Sequence, residues 1–295
     1  MLKKGFEKIN LLKIGISISN YGEIPTREFL INAAKKTEEN QLDSIWTSDH
    51  IIVPKENAPW TRVFETITTL SFFASITQKI ILGTSILVVP LRDPTVLAKQ
   101  IATLDSLSNG RLILGVGIGS NKSEFNFLGK DFARRGNTTE NNINTMREFW
   151  KKGYSDKGFM SEPSTVLTKG PDILIGGQSE PAFKRVASFG DGWHPSGIAQ
   201  VEYESGIKKI LEINERNYIW SLRIGFAANK KVDCHFNGPD GKPRLRLTGN
   251  IDEIKSEIEK FEKIGLNHLV CDIREDSAEK CLKQIDVLGD IKKSF

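Results

Sequence analysis

The sequence has few of the features that mark membrane, disulfide-bonded or nucleic-acid-binding proteins. None of its apolar runs approaches the ~20 residues that span a bilayer. Its three cysteines, Cys234, Cys271 and Cys281, lack the spacing of a zinc site or of a disulfide set. The 41 basic and 37 acidic side chains leave a net charge of only +4, with no basic stripe. These absences argue against a membrane span, a bound metal and a nucleic-acid partner.

Several catalytic motifs are also missing. The chain has no Gly-x-Ser-x-Gly elbow, no His-Glu-x-x-His pair and no phosphate-binding loop with its lysine. The glycine run Gly115-Val-Gly117-Ile-Gly119 has Ser120 where a dinucleotide-binding fingerprint needs its last glycine. The first residues include lysines but no apolar core or cleavage site typical of a signal peptide. We therefore expect a cytoplasmic protein without a Rossmann domain.

The sequence does contain a regular alternation of short apolar runs and amphipathic stretches. The predicted strands are Lys13–Ile18, Ser44–Thr47, Ile80–Val89, Arg111–Gly117, Asp172–Ile175, Gly190–Trp193, Arg223–Ala227 and His268–Ile273. The predicted helices are Thr26–Asn40, Thr61–Thr77, Thr95–Leu107, Thr139–Lys152, Glu180–Phe189, Val201–Arg216, Ile251–Ile264 and Ser277–Leu288. This order predicts an α/β fold, a (β/α)8 TIM barrel, as a single domain over residues 1–295. Loop insertions, including Ser120–Thr138 and Cys234–Gly249, are expected at the C-terminal face.

Candidate functional residues follow the predicted strands, where barrel enzymes keep their active sites. Asp49 and His50 end the second strand, and histidine is the side chain that titrates nearest neutrality. A structural role for His50 stays open on these grounds. The glycines Gly115, Gly117 and Gly119 leave one face of a strand end without side chains. A planar ring could lie there against the backbone, or the strand could pack tightly inside the barrel.

Two further strand ends complete this predicted site. Gly176-Gly177-Gln178 precedes a predicted helix, and free N–H groups at such a turn suit a phosphate. Trp193 and His194 could line a pocket at the next strand end, although core packing is the default for a tryptophan. Glycine, small hydroxyls and one histidine suit a protein whose cofactor carries the redox chemistry.

Ten stretches in order resemble one known family, the bacterial-luciferase-like superfamily of flavin- and deazaflavin- (coenzyme F420-) dependent oxidoreductases, which are TIM barrels. The matching stretches are Trp46–His50, Ile81–Pro94, Leu97–Arg111, Gly115–Gly119, Glu124–Phe125, Arg134–Gly136, Ile175–Ser179, Gly190–Trp193, Leu247–Ile254 and Gly265–Val270. The resemblance runs from about Lys13 to Ile273. One departure is Ser120, since the sugar-phosphate dehydrogenases of this family have a catalytic glutamate there.

The resemblance also implies roles for individual residues. A cis peptide between Ser85 and Ile86 would form a bulge behind the cofactor ring. His50 and Asp49 would lie near the reactive carbon, with His50 as the base towards a substrate alcohol. The remaining implied cofactor-binding residues are Gly117 and Gly119 beside the ring, Gly176, Gly177 and Gln178 at the ribityl phosphate, and Trp193 at the neighbouring strand end.

The function implied by the resemblance is hydride transfer between bound coenzyme F420 and a small organic substrate. The alternative is a monooxygenase that uses reduced FMN and oxygen. A non-catalytic flavin-binding barrel is a third reading, and an unrelated metal or Schiff-base lyase a fourth. Members of the family often form dimers through helices beside the second and third strands, so a homodimer is expected as well. The sequence does not identify the substrate.

Overall fold

The apolar runs of the sequence form the strands of a closed barrel. A computed structural model describes residues 11–55, 62–153, 158–230, 232–237, 241 and 243–295. The strands are β1 Lys13–Ser17, β2 Ser44–Thr47, β3 Ile81–Val88, β4 Leu112–Gly117, β5 Asp172–Ile175, β6 Gly192–Trp193, β7 Ile219–Ala228, β8 His235–Asn237, β9 Pro243–Gly249 and β10 His268–Ile273. Strands β1 to β7 pair in parallel in chain order, and β10 pairs with both β1 and β7. The predicted (β/α)8 barrel is confirmed.

Helices surround the barrel and return the chain to its N-terminal face. They are α1 Arg27–Glu39, α2 Thr66–Ile76, α3 Pro94–Leu107, α4 Lys122–Phe127, α5 Arg135–Lys152, α6 Glu180–Phe189, α7 Gln200–Ile213, α8 Ile251–Ile264 and α9 Ala278–Lys292. Their ends follow local signals: the Asp93 carboxylate accepts hydrogen bonds from the N–H groups of Thr95 and Val96 at the start of α3. Gly265, with φ 117°, ends α8. Within the described ranges, no helix is both long and apolar enough to cross a bilayer.

Two apolar regions hold the barrel together. The larger one fills the space between the outer faces of the strands and the helices. The smaller one lies inside the barrel, where Trp46, Ile113, Leu174 and Val270 contact one another. These interior residues come from β2, β4, β5 and β10, so they tie distant strands together. They form an apolar layer across the barrel interior. Towards the C-terminal ends of the strands, the interior side chains are polar.

Three elements within the described residues were not predicted. A 3-10 turn, Val89–Leu91, ends β3, and the short helix α4 lies in the predicted loop Ser120–Thr138. The predicted loop Cys234–Gly249 contains a hairpin in which β8 pairs antiparallel with β9, while β9 pairs in parallel with β7. The alternating run Arg-Leu-Arg-Leu of β9 is a strand pattern that its flanking glycines and prolines obscured.

Several predicted boundaries also move. β7 begins at Ile219 rather than Arg223 because the strand spans the whole barrel wall and pairs with β6, β10 and β9. β6 is only Gly192–Trp193. The predicted start of the second helix at Thr61 lies outside the described residues, and α2 begins at Thr66.

Candidate active site

A bulge in β3 forms the centre of the barrel mouth. The peptide between Ser85 and Ile86 is cis, as the resemblance implied. Thr84 pairs with Leu114 and Leu87 pairs with Val116, so β3 has one residue more than β4 across this span. The bulge therefore re-aims the Ser85 and Ile86 side chains relative to a regular strand.

Ile86 explains the glycines at the end of β4 and directly after β5. A Cβ at Gly117 would lie 1.9 Å from the Ile86 Cδ1 atom, and one at Gly176 would lie 3.2 Å from it. Gly117 thus makes room for Ile86, where the sequence suggested a bare strand face for a planar ring. Gly119, with φ 77°, ends the strand beside Val88 and Phe125.

A buried histidine supports the bulge from inside the barrel. The Nε2 atom of His194 lies 2.8 Å from the Ser85 Oγ, and its Nδ1 lies 2.7 Å from the Ser221 Oγ. The imidazole stacks on Trp46, with ring centroids 4.9 Å apart and planes 10° from parallel. Burial, reinforced by the nearby charge of Arg223, lowers the pKa of His194 to about 3. His194 is therefore neutral at ordinary pH and fixes Ser85.

An arginine contacts the same bulge from β7. The Arg223 Nη1 donates to the Ser85 carbonyl at 2.6 Å, and its Nη2 donates to Asp272 at 3.1 Å. The other Asp272 oxygen accepts from the Arg274 Nε at 2.8 Å. Burial alone would raise the pKa of Asp272, but the two guanidinium groups hold it below its usual range. The Arg223 Nε is buried and has no hydrogen-bond partner among the described residues.

His50 and Glu124 form a hydrogen-bonded pair at the mouth. The His50 Nδ1 lies 2.9 Å from the Glu124 Oε2, and the other oxygen of Glu124 accepts from the N–H groups of Ile51 and Ile52 at 2.7 and 3.2 Å. Glu124 is only 2% exposed, whereas the His50 side chain is 22% exposed. In the tautomer whose Nδ1–H donates to the Glu124 carboxylate, a neutral His50 ring has its lone pair on Nε2. This tautomer suits a general base.

Asp49, for which a catalytic role stays a prediction, has both carboxylate oxygens in hydrogen bonds. Its carboxylate accepts two hydrogen bonds from Arg92, at 2.7 and 2.8 Å, and a third from the Val88 N–H at 2.8 Å. Glu65 binds the same guanidinium at 2.9 Å. Asp49 therefore ties the end of β2 to the end of β3, and its geometry favours a positioning role.

The glycine turn after β5 carries unused backbone donors. The Gly176 N–H donates to the Val116 carbonyl at 2.8 Å, whereas those of Gly177, Gln178 and Ser179 donate to no other described residue. Gly177 has φ 101°, and α6 begins at Glu180. The Gln178 side chain donates to the Ser196 carbonyl at 3.2 Å. This arrangement is typical of an anion site at a helix N-terminus.

The Trp193 side chain supports this turn from within the protein core. Its indole Nε1 donates to the Gly177 carbonyl at 2.8 Å. The ring is fully buried, stacked on Tyr203 with centroids 5.3 Å apart and edge-on to Phe183 at 5.6 Å. The Trp193 side chain thus packs against α6 and α7 and reaches the glycine turn only through this hydrogen bond, and its contact with a cofactor stays a prediction. Packing in the protein core is common for a tryptophan next to a strand.

Sequence reasoning missed four residues that organise the mouth: Arg92, Glu124, Arg223 and Asp272. Arg92 and Glu124 lay within matching stretches but were given no role. Arg223 and Asp272 offered a clearer signal, because each is a charged residue inside an otherwise apolar strand. A buried charge needs a partner, so the two should have been expected to pair. No group of three or more metal-ligating side chains occurs in the described part of the chain.

Known proteins resemble this chain in sequence and in fold. The family model described as luciferase-like monooxygenase matches residues 12–219. An F420-dependent glucose-6-phosphate dehydrogenase from Amycolatopsis mediterranei is 35% identical over 128 residues, which are 41% of this chain and 37% of that relative's length. A solved F420-dependent secondary alcohol dehydrogenase, in complex with an F420-acetone adduct, matches with a TM-score of 0.75 and 18% identity over 95% of this chain and 98% of its own.

A third match uses a different cofactor. It is the oxygenating constituent of the 3,6-diketocamphane monooxygenase from Pseudomonas putida, a type II Baeyer-Villiger monooxygenase in complex with FMN. Its TM-score is 0.75 at 13% identity, covering 94% of this chain and 96% of that one. At these identities the two solved structures establish the shared fold.

Proposed function

Since the chain belongs to the luciferase-like monooxygenase family and is an enzyme of the oxidoreductase class, we propose that it transfers a hydride between coenzyme F420 and a small organic substrate. The observation that carries this proposal is the His50–Glu124 pair at the barrel mouth, because a histidine oriented by a carboxylate would serve as a general base. The names of an F420-dependent relative and of an F420-dependent structural neighbour support the choice of cofactor.

The residues at the mouth fit a flat cofactor with a phosphate. The unused N–H groups of Gly177, Gln178 and Ser179 would bind the phosphate at the start of α6. The bulge at Ser85 and Ile86 would lie behind the ring, with Gly117 and Gly119 at its edge. When bound, the deazaflavin supplies the hydride chemistry.

The protein side of this reaction is proton transfer and orientation. Glu124 fixes the His50 ring through Nδ1, so Nε2 would take the proton from a substrate hydroxyl as its carbon loses the hydride. In the reverse direction the same atom would return the proton to a carbonyl oxygen. Asp49 and Arg92 hold the backbone next to His50, which would help to orient its side chain.

The second candidate is a monooxygenase that uses reduced FMN and oxygen. The family description and the FMN-bound neighbour favour it, and a glycine turn that binds phosphate suits FMN equally well. A fluorescence titration of the purified protein with FMN and with coenzyme F420, side by side, separates the two. Preference for coenzyme F420 supports the proposal, and preference for FMN replaces it with the monooxygenase. Binding of neither would contradict both and favour a non-catalytic barrel.

A further inference from the structure

Two arginines contact one aromatic ring on the β7 side of the barrel mouth. Phe236, from the β8–β9 hairpin, has the guanidinium carbons of Arg246 and Arg274 each 4.9 Å from its ring centroid. Gly225 on β7 makes room for this ring, since a Cβ there would lie 2.8 Å from the Phe236 Cε1. The hairpin thus brings Arg246 to the end of β10 and holds both cations over the barrel mouth.

Positive charge exceeds negative charge in this cluster, which consists of Arg223, Asp272, Arg246 and Arg274. The single carboxylate of Asp272 is shared by Arg223 and Arg274. Arg246 has no ion pair with any described residue, and the Arg223 Nε is a buried donor without a partner. Lys230 pairs with Glu275, so this neighbouring pair adds no net charge. Among the described residues of this region, three guanidinium groups against one carboxylate leave two positive charges without a counterion.

The cluster is partly exposed to solvent. The Arg223 side chain is 11% exposed and that of Arg274 is 32% exposed. Partly desolvated guanidinium groups bind carboxylates and phosphates strongly, because they present several donors in a fixed plane. Resting on the proposed function, we propose that this basic cluster binds an anionic group, a carboxylate or a phosphate, on the substrate. The substrate would therefore be an acid or a phosphoester that also has an oxidisable or reducible carbon.

The position of the cluster favours the substrate over the cofactor as the source of this anion. The glycine turn proposed for the cofactor phosphate follows β5, whereas the cluster lies on β7, β9 and β10, two or more strands further around the barrel. His50 lies beyond β10 and β1 at the end of β2. A substrate held by the cluster would thus reach towards His50 across the mouth. The glutamyl tail of coenzyme F420 is the competing source of carboxylates.

The test compares Arg246→Gln with wild type, with Arg246→Lys and with the control Arg27→Gln. Arg27 is exposed at the start of α1, so its variant makes the same change in net charge away from the mouth. Calorimetric titration of the cofactor-free proteins with malonate and with inorganic phosphate, at constant ionic strength, gives the dissociation constants. We expect Arg246→Gln to weaken binding at least about tenfold, Arg246→Lys to weaken it less and Arg27→Gln to leave it unchanged.

An anion bound only at the glycine turn would not respond to Arg246→Gln, so equal affinities in wild type and variant would overturn the inference. A second titration, with coenzyme F420, identifies the source of the anion. Unchanged F420 affinity in Arg246→Gln supports the substrate site, whereas a tenfold loss would assign the cluster to the glutamyl tail and overturn it. If wild type binds neither cofactor while malonate binding still depends on Arg246, the proposed function fails and the anion site stands.

Discussion

Two buried histidines should make this protein lose stability steeply on mild acidification. His268 lies inside the barrel with its Nε2 2.8 Å from the Ser44 Oγ and its ring edge-on to Trp46 at 5.3 Å. Burial, with smaller effects from Lys13 and Lys292, lowers its pKa from 6.5 to about 3, and His194 is lowered to the same value. Replacing His268 with glutamine keeps a hydrogen-bonding group near Ser44 and removes one titrating site.

Acidification lowers the free energy of unfolding because the unfolded chain binds more protons than the folded one. At pH 5 an unfolded histidine is protonated, while His194 and His268 in the folded barrel are not, so acid favours the unfolded chain. The loss begins near pH 6.5 and continues towards pH 3, at about 1.4 kcal/mol per pH unit for each group. Between pH 7 and pH 5 each histidine therefore costs about 2 kcal/mol, and the pair about 4 kcal/mol. Carboxylates with lowered pKa values, such as Asp272, add their losses only at lower pH.

Urea unfolding at pH 7, 6 and 5, followed by tryptophan fluorescence and by circular dichroism, measures this loss directly. We expect wild type to lose about 4 kcal/mol over the two pH units and His268→Gln about 2 kcal/mol. His235→Gln, at an exposed position on β8, is the control and should behave as wild type. The comparison uses the change with pH, so any constant cost of the substitution cancels. Equal pH dependence in wild type and His268→Gln would refute the assignment of a neutral, buried His268.

Three further predictions test the mouth of the barrel. His50→Ala should lower turnover about 100-fold or more with unchanged cofactor affinity, and Glu124→Gln should lower it less; equal kcat in both variants and wild type would exclude His50 as the base. Arg92→Leu should lower the free energy of unfolding by about 3–5 kcal/mol, because it leaves the buried Asp49 carboxylate without a cation. Adding Asp49→Asn removes that charge and should recover part of the loss. Gly177→Val should weaken cofactor binding at least about tenfold, since φ 101° disfavours a branched side chain; unchanged affinity in the titration would contradict the phosphate assignment.

The barrel itself could be predicted because its signals are local and repeated. Asn109-Gly110, a dipeptide typical of the end of a helix, follows α3 with left-handed φ values of 57° and 75° at these two residues. The position of the bulge came from resemblance to a family. No propensity or periodicity in Thr-Ser-Ile-Leu predicts a one-residue register shift between two parallel strands.

What the sequence could not provide was the pairing of charges across the barrel. Asp49 and Arg92 are 43 residues apart, and His50 and Glu124 are 74 apart. Which carboxylate faces which cation depends on strand order and on the direction of each loop, and neither is encoded locally. The sequence therefore did not reveal that Arg92 and the Val88 N–H bind the oxygens of Asp49. The sequence did not indicate a role for Glu124, because its contact with His50 depends on the position of α4.

The interior histidines and the histidine at the barrel mouth have different environments. At the bulge, the Ser85 hydroxyl is hydrogen-bonded to His194, directly after β6, and the Ser85 carbonyl accepts from Arg223 on β7. Contacts from two other strands therefore fix this part of β3. Burial keeps His194 and His268 neutral wherever the barrel is folded at ordinary pH, and they therefore act as fixed hydrogen-bonding groups. His50 alone among the interior and mouth histidines has both a carboxylate partner and access to solvent. His50 is therefore the histidine to which our proposed function assigns proton transfer, while His194 and Arg223 hold the bulge in place.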